Sequence, residues 1–258
     1  NPSMTTTRSS RVRRVGIASG ATAALGLAAV MMAGPASAAQ APYASVANDT
    51  LTVTGTQASE RLALRLQAGA PGILEVDFGD DGTADFSFDR TTFTAIDVEA
   101  AGGDDEVRVD QSGGTFTDEA VTLNGGGGND TLIGASGAET FVGGSGDDFV
   151  DGNQGADTAS LGGGNDHFQW DPGDGSDVVD GQGGGEDALD FNGSNAGENV
   201  DVSANGPRVL FTRNIASIVM DLDGMERLNF RALGGVDNVT VGELGGTGCV
   251  AVALADDA

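Results

Sequence analysis

Five acidic residues recur at nine-residue intervals in the centre of the chain, and glycines crowd the positions just before them. They are Asp130, Glu139, Asp148, Asp157 and Asp166. Carboxylates repeated at a fixed interval indicate one structural unit stacked many times, with its charges superposed. Because stacked carboxylates repel one another, the spacing predicts cations between them.

The residues around these acids follow the nine-residue pattern GGxGxDxUx, in which U is a large apolar residue. The clearest copies are GGGGNDTLI at 125–133 and GGSGDDFVD at 143–151. Glycine at the first, second and fourth positions permits positive φ and close approach of neighbouring turns, which directs carbonyl oxygens inward as possible metal ligands. The three residues after each acid predict a short strand whose position-eight side chain is buried.

Two such units are expected to form one coil of eighteen residues. Asp130, Asp148 and Asp166 would then lie along one edge, and Glu139 and Asp157 along the other. Each edge would present a column of oxygen atoms, which is the ligand type that hard divalent cations prefer.

These repeats resemble the RTX family, the hemolysin-type calcium-binding repeat proteins. The resemblance implies a parallel β-roll with several calcium ions held between same-side turns by aspartate carboxylates and loop carbonyls. Glu139 departs from the family pattern, because its unit reads GASGAETFV, and no calcium ligand is carried over to it. The spacing changes to eleven and ten residues further on, but the acids continue. The metal ligands implied by the resemblance are Asp130, Asp148, Asp157, Asp166, Asp177 and Asp187, with Gly126, Gly128, Gly144, Gly146 and Gly164 in the turns.

The segments on either side of the ladder predict further strands. Residues 39–110 alternate apolar and polar side chains at period two, which is typical of half-buried strands that could cap the roll of 111–191. Residues 192–258 continue with strand-like runs and end on one, which suggests a truncated chain. We therefore expect an all-β fold: a parallel β-roll of nonapeptide repeats, capped by N-terminal antiparallel strands and followed by an irregular C-terminal β-solenoid extension.

Acidic residues at 77, 81 and 85 allow two interpretations. Their spacing partly matches an EF-hand loop, but Phe88 occupies the position of the bidentate glutamate. A hairpin turn around Asp81 and Gly82 explains the same residues and is the favoured interpretation.

The beginning of the chain predicts export. Four arginines precede an apolar, Ala-rich run that extends to Ala33 and is followed by Ala36-Ser37-Ala38. This order is typical of a secretory signal peptide with an A-x-A cleavage site, which we assign to residues 1–38. Translation is expected to begin at Met4, so residues 1–3 would be an upstream remnant. No second hydrophobic segment follows, and we expect a secreted protein without a membrane span.

The charge distribution restricts the possible partners. The chain carries 39 acidic and 12 basic residues, a formal net charge of −27, and no Arg or Lys lies between Val109 and Pro207. Such a surface disfavours nucleic acid and anionic lipid. The alternative is that this acidic stretch is disordered. We expect disorder in the absence of calcium, whereas the regularly spaced apolar residues favour folding when calcium is present.

The residues needed for common catalytic sites are scarce. His167 is the only histidine and Cys249 the only cysteine, which excludes an HExxH zinc site and an internal disulfide within this chain. We expect a solvated His167, a buried Trp170 that plugs the roll, and a non-enzymatic calcium-stabilised module, with a cell-surface or polysaccharide partner left open. The alternatives are the non-catalytic part of an exported hydrolase and a surface-binding adhesin.

Overall fold

The computed structural model describes residues 41–256, so the predicted signal peptide at 1–38 lies outside the described residues. Strands dominate this range, and the helical elements in it are three 3₁₀ turns, Arg90–Thr92, Gln111–Gly113 and Ile215–Ser217. The strands in chain order are β1 (Tyr43–Ala47), β2 (Thr50–Thr54), β3 (Arg61–Gln67), β4 (Ala70–Phe78), β5 (Phe86–Asp89), β6 (Ala95–Glu99), β7 (Glu106–Asp110), β8 (Ala120–Gly127), β9 (Thr131–Ile133), β10 (Glu139–Ser145), β11 (Phe149–Asp151), β12 (Thr158–Gly163), β13 (His167–Trp170), β14 (Val178–Gln182), β15 (Ala188–Asn192), β16 (Asn199–Asn205), β17 (Arg208–Arg213), β18 (Ile218–Asp223), β19 (Arg227–Ala232), β20 (Asn238–Val241) and β21 (Ala251–Asp256).

The strands form two sheets, and the chain alternates between them through the repeats. The first sheet has the order β1-β2-β6-β8-β10-β12-β14-β18-β17-β16-β20, and the second has the order β21-β19-β15-β13-β11-β9-β7-β3-β4-β5. In the second sheet, Phe149 lies in parallel register between Thr131 and His167. Each of these neighbours is eighteen residues away, which confirms the predicted coil of two nonapeptides.

The roll extends beyond the strict repeats in both directions. Strands β2 and β6 pair in parallel in the first sheet, and β3 and β7 do so in the second. Antiparallel pairing joins β1 to β2, β3 to β4 and β4 to β5. The N-terminal segment therefore combines antiparallel hairpins with parallel strands that continue the roll, and it is not a purely antiparallel cap.

The C-terminal segment has a similar mixed organisation. Strands β16 and β17 form an antiparallel hairpin, and β17 also pairs antiparallel with β18. Strands β15, β19 and β21 continue the parallel ladder of the second sheet. Each hairpin is an insertion between two coils, so the stack resumes after it.

One apolar core lies between the sheets and contains the inward-facing side chains of the repeats. Trp170 is fully buried and stacks on Phe191 with ring centroids 3.9 Å apart. Its indole Nε1 donates a hydrogen bond to the carbonyl oxygen of Gly175 at 2.8 Å, so the one polar atom of the ring is satisfied. The aromatic side chains thus fill the interior of the roll where the repeat spacing changes.

The hairpin interpretation of residues 77–88 is confirmed, because β4 and β5 are antiparallel neighbours. The Asp77 carboxylate is buried; it accepts the Gly82 N–H at 2.9 Å and lies 2.7 Å from Nη1 of Arg65. A guanidinium therefore already neutralises the first acid of the EF-hand-like spacing.

Candidate metal column

A continuous column of carboxylates follows one edge of the roll. The backbone N–H of Asp130 donates to Oδ1 of Asp148 at 2.8 Å, and the N–H of Asp148 donates to Oδ1 of Asp166 at the same distance. The pattern repeats at both ends, with donor–acceptor distances of 2.7 to 2.9 Å. The members of this first column are Glu60, Asp105, Asp130, Asp148, Asp166, Asp187 and Glu226.

A shorter second column follows the opposite edge. The N–H of Glu139 donates to Oδ1 of Asp157 at 2.8 Å, and the N–H of Asp157 donates to Oδ1 of Asp177 at 2.9 Å. All six aspartates implied as ligands thus lie in the two columns, four in the first and two in the second. The added residues before Asp177 and Asp187 are accommodated between strands, and they leave both acids in register.

In most of these carboxylates the second oxygen is buried and has no hydrogen-bond partner. Within the columns this applies to one oxygen each of Asp105, Asp130, Asp148, Asp157, Asp166 and Asp187. Burying an ionised carboxylate without a compensating partner is costly, so a native protein is expected to pair it or coordinate it. The orphaned oxygens lie in successive coils, and they fit a row of bound cations.

Glu139 differs from its neighbours in the second column. Its Oε2 accepts the backbone N–H of Ala135 at 3.1 Å. The second carboxylate oxygen of Glu139 therefore has a partner, whereas Oδ2 of Asp157 has none. The longer glutamate side chain therefore reaches back into its own turn. This contact agrees with leaving Glu139 out of the predicted ligand set.

The glycines of the turns bring backbone carbonyls of successive coils close together. Gly126, Gly144 and Gly146 have φ of +98°, +118° and +121°, a region that favours glycine. A Cβ on Gly144 would overlap the carbonyl oxygen of Gly126, and a Cβ on Gly146 would overlap that of Gly128. The same relation holds between Gly164 and Gly146. The five predicted glycines thus lie in the turns that precede the acids of the first column.

We expect Gly144→Ala to lower the free energy of unfolding by at least about 2 kcal/mol, because strained φ and a backbone overlap add together. Urea denaturation in the presence of calcium would measure this loss of unfolding free energy. Gly72→Ala is the matched control, since a Cβ there meets no atom within 4 Å. Equal stability losses in the two variants would contradict the stacked-turn geometry.

Burial raises the pKa of the column carboxyls. The pKa of Asp148 is raised to about 7 and that of Asp157 to about 8, mainly by desolvation and further by neighbouring acids. The pKa values of Asp177 and Asp187 are raised to about 6 for the same principal reason. Desolvation also raises the pKa of Asp130, Glu139 and Asp166. Protons and cations therefore compete for these oxygens.

A second ladder of hydrogen bonds, which the nine-residue pattern does not predict, lies beside the first column. The N–H of Asp147 donates to Oδ1 of Asn129 at 2.8 Å, and the N–H of Asn165 donates to Oδ1 of Asp147 at 2.7 Å. These bonds run in the opposite direction to those of the acids. The sequence signal is the residue at position five, which is Asn or Asp on this edge and alanine at 138 and 156 on the other.

Other charged groups near the columns have protein partners. Nε of Arg213 donates to Oε1 of Glu198 at 2.8 Å, and its guanidinium lies over the Trp170 ring, 5.2 Å from the centroid. Arginine thus supplies the cation for one buried acid beyond the repeats. His167 is half exposed, and its Nδ1 lies 2.7 Å from Oδ2 of Asp190.

Within residues 41–256, no group of three or more His, Cys, Asp or Glu side chains converges as a side-chain metal centre. A cation at the columns would therefore depend on turn carbonyls as well as carboxylates, which suits the oxygen preference and high coordination number of calcium. Asp130, Asp148, Asp157 and Asp166 would supply the negative charge. The same range of the chain contains no helix of the length and apolarity needed to cross a membrane.

The fold and the columns together define a repeat protein, a two-sheet parallel β-roll whose turns present oxygen atoms to hard cations. Residues 117–138 and 133–168 match the family model of the RTX calcium-binding nonapeptide repeat, which has four copies. Residues 117–168 thus consist of RTX repeats, and they form a calcium-binding structural module. Comparisons with curated proteins and with solved structures gave no significant match.

Proposed function

We propose that the protein is an exported, non-enzymatic module whose roll folds when it binds several calcium ions outside the cell. The observation that carries the proposal is the row of buried carboxylate oxygens without partners in successive coils. No Arg or Lys lies between 109 and 207, and none of the ion pairs formed within residues 41–256 involves a column aspartate, so a cation from solution would supply the countercharge. The resulting rigid roll would act as a structural or binding element.

The energetic argument favours calcium as a folding ligand. A site of about 100 μM affinity adds on the order of 1.4 kcal/mol at roughly 1 mM calcium, so four sites add about 5 to 6 kcal/mol. This is comparable to the whole stability of a small domain, about 5 to 15 kcal/mol. Extracellular modules typically bind calcium in the range of about 10⁻⁴ to 10⁻³ M. A chain exported from a low-calcium compartment would therefore complete its folding after export.

Calcium titration of the metal-free full chain, followed by far-UV circular dichroism and calorimetry, tests this proposal. We expect a cooperative gain of β-structure with several equivalents bound. Magnesium at the same concentration is the control, since its demand for octahedral geometry suits a cage of carbonyls poorly. A chain that is fully folded in chelator and binds no calcium would refute the proposal.

Export and the absence of catalysis need separate tests. We expect the secreted form to begin after Ala38, which N-terminal sequencing of the extracellular fraction would show. The calcium-loaded protein is expected to leave standard protease, lipase and glycosidase substrates unchanged. Turnover that survives purification and is lost when His167 is replaced would contradict the non-enzymatic assignment.

A further inference from the structure

Asp105 lies outside the matched repeats but has the surroundings of a repeat acid. Its side chain is 2% exposed, and its Oδ1 accepts the N–H of Glu60 at 2.7 Å. Its Oδ2 is buried and has no hydrogen-bond partner. Its own N–H donates to Oδ1 of Asp130 at 2.8 Å, which is the same bond that links Asp130 to Asp148.

The turn that carries Asp105 also stacks on the next turn as the repeats do. The N–H of Gly103 donates to the carbonyl of Gly127 at 2.8 Å, and the N–H of Gly128 donates to the carbonyl of Ser145 at the same distance. Gly103 has φ of +103°, and a Cβ on Gly128 would overlap its carbonyl oxygen. Turn 101–105 is therefore a geometric copy of the repeat turns, although its sequence AGGDD keeps few of the consensus glycines.

The length of this coil interrupts the nine-residue spacing, although AGGDDEVRV at 101–109 resembles a shortened repeat that leads into the stack. Asp105 and Asp130 are 25 residues apart, because the Gln111–Gly113 turn and the residues after it are inserted before β8. The strands that follow the two acids are nevertheless in register, with Glu106 opposite Thr131. An insertion on the far side of the coil leaves the acid edge unchanged.

Nearby basic side chains do not neutralise Asp105. Arg61 pairs with Glu106 at 2.9 Å, and Arg108 pairs with Asp80 at 2.7 Å. Both arginines belong to outward-facing positions of β3 and β7. The buried carboxylate is thus left with a hydrogen bond on one oxygen and nothing on the other.

We propose that turns 55–60 and 101–105 hold a further divalent cation of the calcium class, which extends the metal column by one coil beyond the recognised repeats. The Asp105 carboxylate, whose Oδ1 accepts the N–H of Glu60, would supply the charge, and carbonyls of the two turns would complete the ligand set. The cation would bind the N-terminal strands to the roll, so this site would control whether β3 and β7 fold with the repeats. This inference rests on the proposed calcium function.

The test counts calcium equivalents bound by the full chain with Asp105→Asn, using equilibrium dialysis and calorimetry. We expect one equivalent fewer than in the wild type. Asp104→Asn is the matched control, since it makes the same charge change on the exposed neighbouring residue, and we expect the wild-type number. An unchanged number in Asp105→Asn would overturn the proposal.

Asp148→Asn separates this inference from the proposed function. If Asp148→Asn binds fewer calcium equivalents than the wild type but Asp105→Asn does not, the Asp105 site is overturned and the calcium function remains intact. No loss in either variant would refute the function itself.

Hydrogen exchange of the wild-type chain keeps the test decisive if Asp105→Asn does not fold. We expect calcium to slow exchange in residues 55–67 and 101–109 as well as in residues 126–133. Protection gained only by residues 126–133 would overturn the proposal.

Discussion

Replacing Asp130, Asp148 and Asp166 together by asparagine is expected to remove about 4 kcal/mol of calcium-dependent stabilisation, the contribution of three sites of about 100 μM affinity at roughly 1 mM calcium. Without calcium and at neutral pH, the variant should be at least as stable as the wild type. The reason is geometric, because the asparagine Oδ1 can still accept the N–H of the preceding coil while three buried charges are lost. Far-UV circular dichroism without calcium and the urea midpoint with calcium measure the two effects.

The control for this variant makes the same change of charge on exposed acids. Asp49→Asn, Asp201→Asn and Glu243→Gln together alter net charge by three, but these residues lie outside the columns. We expect this control to keep the wild-type response to calcium. A column variant that gains as much stability from calcium as the control does would show that the columns do not bind the metal.

The edges of the roll could be predicted because the repeat has an unambiguous phase. A strand of three residues has one inward position, and the apolar residue two places after each acid specifies it. Leu132, Val150 and Phe168 are all fully buried, as position eight requires. Once the inward side is known, two nonapeptides per coil follow from the need to return to the same sheet.

The ends of the first column could not be predicted in the same way. Glu60 and Asp105 are 45 residues apart, and Asp187 and Glu226 are 39 apart, because the hairpins β4–β5 and β16–β17 are inserted between coils. A search for a nine-residue period misses such gaps. The remaining signal is a tripeptide of an acid, any residue and an apolar residue, as in Glu60-Arg61-Leu62, which is too short to specify a register by itself.

The sequence pattern also does not predict whether neighbouring strands are parallel or antiparallel. Alternation at period two is common to parallel and antiparallel strands with one buried face, so residues 44–110 gave no basis for separating β2 and β6 from the hairpins. The direction depends on the connection. A chain that crosses to the other sheet after each strand returns in parallel, whereas the short turn between β4 and β5 forces an antiparallel pair.

In the absence of calcium, the free energy of unfolding is expected to fall as pH rises from about 4 to about 8. Burial raises the folded-state pKa of Asp105 and Asp148 to about 7 and that of Asp157 to about 8, from an ordinary value of 3.8. Between these values the folded chain binds more protons than the unfolded chain, so each rise in pH favours unfolding. One such proton corresponds to about 1.4 kcal/mol per pH unit.

Calcium should reverse this dependence, because the cation replaces the proton on the same oxygens and its apparent affinity increases with pH. The folded fraction of the metal-stripped chain at pH 4.5 to 8, followed by far-UV circular dichroism with and without calcium, would show both trends. Asp157→Asn removes the carboxyl with the highest of these pKa values, and we expect it to flatten the calcium-free curve while the exposed-acid control keeps the wild-type slope. Calcium-free stability that is constant or increases over this range would mean that the column carboxyls remain ionised in the folded chain, and that burial alone does not create their need for a cation.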